Sequence, residues 1–286
     1  MDSWHTAGAG TRAKRDAELL QRPELRSLRL QLEYLRAELG LGDRGILHSI
    51  VVFGSTRLLA PEVAREGLEQ ARRAAASAGA DPELRAALRA AEHRLERSRY
   101  YDIARELGRI VGCCGEGPED DRLAIVTGGG PGAMEAANRG ASEAGAASVG
   151  LNIALPLEQE PNRFITPGLC FEFRYFALRK LHFMLRARAL VALPGGYGTL
   201  DEVFETLCLI QTGKRQALPV VLIGESFWRR AVDFGYLLEE GVIGTSDLDL
   251  FRFAESAPEA WEAILGWYAE RGRSIFEEPA DAGAEF

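Results

Sequence analysis

The chain has 286 residues, 47% of them hydrophobic and 27% charged, and a formal net charge of −8 with a pI of about 5.3. Such a chain can bury one substantial core in one or two domains, and its acidity makes nucleic acid an unfavourable partner. Cys113, Cys114, Cys170 and Cys208 form no CxxC pair and the four histidines no HxxxH, so neither a zinc site nor a disulfide frame is expected and the thiols should be reduced and buried.

In chain order, the opening residues lack the apolar core of a secretory signal, and no run approaches the roughly 18 apolar residues of a membrane span, so a cytoplasmic location with no membrane partner is expected. Residues 1–44 are expected to form a helical extension, because Leu25, Leu28, Leu32, Leu35 and Leu39 fall on one helical face. From residue 45 the texture changes to apolar runs closed by glycine or proline, at 50–56, 123–132, 147–156, 189–196 and 218–224. Continuous rather than alternating apolar runs mean strands covered on both faces. Helical patterns at 61–79, 82–111, 131–145, 177–188, 199–213, 226–239 and 257–270 separate them. The alternation predicts an α/β fold, a Rossmann-like doubly wound parallel sheet flanked by helices, as a single domain over 45–272. Residues 273–286 have little to bury and are expected to be a flexible tail.

Three glycine-rich turns follow strands: Gly54-Ser55-Thr56, Gly128-Gly129-Gly130-Pro131-Gly132 and Gly195-Gly196-Tyr197-Gly198-Thr199. Glycine lets main-chain N–H groups and the positive end of a helix reach an anion, so the three together suggest a phosphate cradle, while each alone is also explained by a tight turn. GGGPGA at 128–133 fits the dinucleotide pattern, but the next strand ends Leu151-Asn152-Ile153-Ala154 without the acid that would hold ribose, and GxxxxGK[ST] is absent. A mononucleotide is the better candidate.

Thr199 and Glu202 have the spacing of a capping box, which is the reading that spacing alone favours. Asp201 reads as a first-turn acid that complements the helix dipole. Yet a carboxylate beside a phosphate cradle also suggests contact with ribose or activation of water. Only Lys14, Lys180 and Lys214 among 34 basic residues are lysine, leaving 31 arginines. Arg179-Lys180 lies near a strand end, where it is either a ligand-facing pair or part of a solvated helix face.

Arg179-Lys180 followed by PGGYGTLDE resembles the signature of the LOG ("Lonely Guy") family of cytokinin riboside 5′-monophosphate phosphoribohydrolases, long mislabelled as lysine decarboxylases. GGGPGAME at 128–135 is similar to the family's first glycine-rich motif, and LNIALPLEQEPN, YFALRKLHFM and PGGYGTLDEVFETLCLIQTGK resemble its longer bacterial branch. The likeness covers roughly 45–240. It implies hydrolysis of a purine nucleoside 5′-monophosphate to free base and ribose 5-phosphate, without cofactor or metal, by a homodimer or higher oligomer. It also implies Arg179 and Glu202 as the catalytic pair. Substrate contacts carried over with it are Gly54, Ser55, Gly129, Gly130, Met134, Glu158, Lys180, Gly195, Gly196, Tyr197, Gly198, Thr199 and Asp201. Where shorter members carry Met-His, this chain has Phe176 and Ala177, so the substrate stays open between AMP and a cytokinin riboside monophosphate. A decarboxylase would need a Schiff-base lysine, and nothing besides Lys180 of the Arg-Lys pair is placed for one, so that reading is rejected. The alternative is a non-catalytic carrier or sensor of a nucleotide or other phosphate-bearing ligand on the same fold.

Overall fold

The computed structural model describes residues 16–77, 81–114, 123–154 and 160–277. Seven parallel strands form one sheet: β1 (His48–Phe53), β2 (Leu123–Thr127), β3 (Ser148–Ile153), β4 (Cys170–Phe173), β5 (Ala187–Ala192), β6 (Val220–Ile223) and β7 (Phe251–Ala254). Their order is β4-β3-β2-β1-β5-β6-β7, so the chain winds outward from β1 to one edge and restarts at β5 on β1's other side. β1 and β5 run in parallel to their ends, with Phe53 beside Ala192. That reversal of direction opens a crevice at the carboxyl ends of adjoining strands, where open α/β sheets bind ligands.

Every residue of β1, β2, β3, β5 and β6 is buried. Successive side chains serve opposite faces. Val51 and Phe53 join one apolar cluster, Ile50 and Val52 the other. The first face is covered by α1 (Arg26–Gly42), α6 (Phe176–Leu185), α7 (Tyr197–Gln211), α8 (Glu225–Ala231) and α9 (Phe234–Glu239). The second is covered by α4 (Arg99–Gly112), α5 (Ala133–Glu143) and α10 (Ala257–Ala269), with α2 (Pro61–Ser77) and α3 (Pro82–Arg97) outside them.

Several expectations are corrected. β4 and β7 escaped notice because edge strands are covered on one side only, and β4 alternates exposed and buried residues instead of running apolar throughout. The helix expected at 82–111 is broken at Ser98, and that at 226–239 ends at Ala231 before α9 begins. In α1 the leucines selected by periodicity point outward, with Leu32 and Leu39 more than half exposed. The inner series is Leu30, Tyr34, Ala37 and Leu41, which has the same 4-3-4 spacing, so periodicity alone could not choose between the two faces. Cys113, Cys170 and Cys208 are exposed, not buried, because they sit at a helix end, on the edge strand and on the outer side of α7; all four cysteines are free. Residues 273–277 pack against the body through the buried Ile275, and His48 Nε2 lies 3.1 Å from the Phe276 carbonyl oxygen. The body therefore continues past the expected boundary at 272, and the rest of the expected tail, like residues 1–15, lies outside the described residues.

Among the described residues, no helix is long and apolar enough to cross a membrane, and no group of three His, Cys, Asp or Glu could hold a metal ion.

Candidate functional site

The three glycine turns leave the carboxyl ends of β2, β1 and β5, which are neighbours in the sheet, and together they wall a cleft of about 610 Å³. That volume suits a nucleotide-sized ligand. Ser55 ties the turns together: its N–H donates to the Pro194 carbonyl at 3.1 Å and its own carbonyl accepts from Ala133 N–H at 3.1 Å. Gly132 has φ +73°, and a Cβ there would stand 2.3 Å from the Ser55 oxygen, so only glycine allows this closure.

The glycines divide into two kinds. Gly195 is required by packing, since a Cβ there would lie 2.1 Å from Thr199 Oγ1. At Gly196 and Gly198, by contrast, a Cβ would meet nothing within 4 Å, and both residues line the cleft. The main-chain N–H groups of Gly196, Tyr197 and Gly198 have no partner among the described residues, whereas those of Thr199 and Leu200 donate to the Gly196 carbonyl at 3.0 Å. The open end of a 15-residue helix thus presents donors and a positive dipole to the cleft.

These bonds also overturn the capping box. α7 starts at Tyr197 with Gly196 as its cap, so Thr199 is already inside the first turn and caps nothing. Thr199, Glu202, Val203, Thr206 and Ile210 follow the inner face of the helix, which carries Glu202 into the wall of the cleft at 4% exposure. No hydrogen bond among the described residues holds its carboxyl group. Burial raises its pKa to about 7, against the opposing pull of Lys180 and Arg179.

Arg179 comes from α6, the helix ahead of β5, and its Nη2 lies 3.7 Å from Glu202 Oε1. This is ion-pair range without a hydrogen bond, and Arg179 Nε is buried with no partner. The guanidinium carbon lies over the rings of Phe176 and Phe183, 5.2 and 5.5 Å from their centroids, within cation–π range of both. Phe176 also lines the cleft.

Of the other residues expected here, Gly54, Ser55, Gly130, Met134 and Tyr197 line the cleft; three expected members do not. Lys180 is turned aside, its Nζ 2.9 Å from Asp201 and 2.7 Å from Glu205, so Lys180 and Asp201 satisfy each other; Asp201 also lies beyond the first turn of α7. Gly129 faces the fold, donating its N–H to Thr127 Oγ1 at 2.9 Å and accepting from Asn162 Nδ2 at 3.1 Å. Glu158 lies outside the described residues.

Sequence reading missed the support beneath the second turn. Asn138, fully buried in α5, accepts from Thr127 Oγ1 at 2.7 Å and from Asn162 Nδ2 at 2.9 Å, and donates to Ser148 Oγ at 2.7 Å. Asn162 Nδ2 also reaches the Gly130 carbonyl at 3.1 Å. An asparagine directly after Ala136 and Ala137 in a helical stretch was the one signal available for this network.

Residues 134–264 match the protein-family model described as "Possible lysine decarboxylase". Over 82 residues, 28% of this chain, the sequence is 32% identical to a probable cytokinin riboside 5′-monophosphate phosphoribohydrolase, LOG4, of Oryza sativa subsp. japonica. The matched segment is therefore similar to the LOG family. The match spans only 36% of that rice relative. Among solved structures, the structural-genomics target TM1055 is 20% identical with a TM-score of 0.45, covering 76% of this chain and 98% of its own. The molybdenum-cofactor carrier protein of Chlamydomonas reinhardtii is 24% identical with a TM-score of 0.42 over 60% of this chain and 89% of its own. The molybdenum-cofactor-binding protein of the phototrophic bacterium Rippkaea orientalis is 22% identical with a TM-score of 0.41 over 59% and 87%. At these levels the solved structures bear on neither ligand nor reaction.

Proposed function

We propose that the cleft hydrolyses the N-glycosidic bond of a purine nucleoside 5′-monophosphate, releasing the free base and ribose 5-phosphate. The observation that carries this reading is Glu202: a carboxyl group in the wall of a nucleotide-sized cleft, with no hydrogen-bond partner among the described residues and only Arg179 at ion-pair distance, poised at a pKa of about 7. A general base works best when its pKa lies near the operating pH. The likeness to the rice phosphoribohydrolase points to the same chemistry.

In this mechanism the Gly196–Gly198 donors and the end of α7 hold the 5′-phosphate. Arg179 grips a phosphate or ribose oxygen with its fork and keeps Glu202 in register. As the bond to the base breaks, positive charge grows at the anomeric carbon and the Glu202 carboxylate stabilises it. A water attacks that carbon, gives one proton to Glu202, and the proton passes on to the departing base nitrogen. The base lies toward Phe176, whose half-exposed ring offers a stacking surface. The reading also has the protein acting as a homodimer or larger homo-oligomer.

Incubating the protein with AMP and with isopentenyl-AMP and separating the products tests the reaction. Free base and ribose 5-phosphate in equal amounts, over many turnovers, are expected from at least one of them. Tight nucleotide binding with no release of base would replace the enzyme with a carrier.

A further inference from the structure

Beyond β5 the rim of the sheet continues into a second concavity of about 470 Å³, lined by Arg97, Arg99 and Arg230 together with His93, Tyr100 and Pro194. Arg97 lines the first cleft as well, so the two spaces meet at that side chain. The arginines come from three elements, the end of α3, the start of α4 and the end of α8. Three arginines lining one space give it a positive potential that favours an anion. Arg97 and Arg230 have no acidic partner among the described residues. The acids facing this space are Glu96, 3.7 Å from His93, and Glu255, whose charge acts on Arg99.

Its floor is built rather than loose. Arg99 Nη2 donates to Tyr100 Oη at 2.9 Å, and Tyr100 is 5% exposed. The tyrosine in turn requires a glycine at 224, where φ is +86° and a Cβ would lie 2.6 Å from Tyr100 Oη. This annex thus pairs a fixed guanidinium with two free ones, the donor set that recognises the oxygens of a phosphoryl group.

We propose that the annex binds a phosphoryl group other than the nucleotide's 5′-phosphate, supplied either by a longer phosphate chain on the nucleotide or by a free inorganic anion. The proposal rests on the reading that a nucleotide occupies the first cleft. Its test is calorimetric titration of the full chain, at fixed salt, with AMP, with ADP, and with inorganic pyrophosphate in the presence and absence of saturating AMP. If the second phosphate arrives on the nucleotide, ADP binds about tenfold or more tightly than AMP; if it arrives free, pyrophosphate binds the AMP-loaded protein. In either case Arg230→Glu removes the added affinity by about tenfold, Arg230→Lys removes part of it, and AMP affinity and melting temperature stay unchanged, since Arg230 is an exposed residue outside the first cleft. ADP no tighter than AMP together with no binding of pyrophosphate overturns the proposal, and so does an Arg230→Glu protein that binds both as the parent does. Made on the Glu202→Gln background, which keeps nucleotide affinity while losing turnover, these titrations read binding alone. Failure to hydrolyse AMP would end the enzymatic reading and leave the annex standing; loss of the annex would leave hydrolysis untouched.

Discussion

Two arginines of one segment make the most instructive contrast in this protein. Arg179 on α6 and Arg186 just past its end have side chains exposed to the same degree, 15%. Arg186 is fully used: its Nη1 and Nη2 donate to Glu38 at 2.8 and 2.7 Å, and its Nε to the Ile46 carbonyl at 3.1 Å. Glu38 responds as a well-paired acid does, with a pKa held below the ordinary value by Arg186. Arg179 has only a distant acid and an orphaned Nε, and burial pushes its own pKa down. Its partner Glu202 is raised to about 7 instead. Equal burial with opposite satisfaction separates a fork that fastens the N-terminal extension to the body from one whose Nε is left without a partner at the wall of the cleft.

The largest effect that would break this contrast is at Glu202. Glu202→Gln should lower turnover by about 10²-fold or more while nucleotide affinity stays within a few-fold, measured by steady-state release of base beside calorimetry. In the parent, kcat/KM should rise as the pH passes through about 7, where Glu202 becomes the carboxylate that accepts the proton. The variant should lose that limb. Equal turnover in the variant would return Glu202 to a structural role.

Next come the arginines themselves. Arg179→Lys should cost at least about tenfold in turnover without loss of stability, because a point charge cannot reproduce the fork and removes no satisfied bond. Arg186→Ala should do the reverse. It should cost about 2 kcal/mol of stability in denaturant unfolding, with turnover per folded molecule retained.

A smaller effect follows from linkage. The folded-state pKa of Glu202 lies above that of an unfolded glutamate, so the protonated form favours the native state. That stability is fully present below about pH 4.5 and is lost as the pH rises to about 7. Glu202→Gln should therefore raise the melting temperature at pH 8 by a few degrees more than at pH 5. A pH-independent difference would mean that the carboxyl is not desolvated.

The smallest expected change in stability is at Gly198, where an added Cβ meets open space. Gly198→Ala should leave stability unchanged or raise it by about 0.5–1 kcal/mol. If the main chain there approaches a phosphate, nucleotide affinity should still fall several-fold.

Much of this was legible in the residues. The five central strands could be read because burial on both faces demands continuous apolar runs, and the glycine turns because close backbone approach at the strand ends demands bare backbone. The edge strands β4 and β7 could not be read that way, since half-covered strands share the alternation of many loops. Nor could the support from Asn138 and Asn162, whose partners lie 10 to 33 residues away in the chain.

The sequence by itself determined the alternation of strand and helix, the three turns that follow strands, and the presence of an arginine and an acid close to the last of them. Only the tertiary structure decided which of the two neighbouring acids lines the cleft. Asp201 and Glu202 are adjacent in the chain but about 100° apart around a helix. Starting the helix at Tyr197 rather than after Thr199, and packing Val203, Thr206 and Ile210 inward, turns Glu202 to the cleft and Asp201 to Lys180. Local spacing sets the angle between neighbouring side chains, whereas the sheet order and the buried face of the helix set where that angle points.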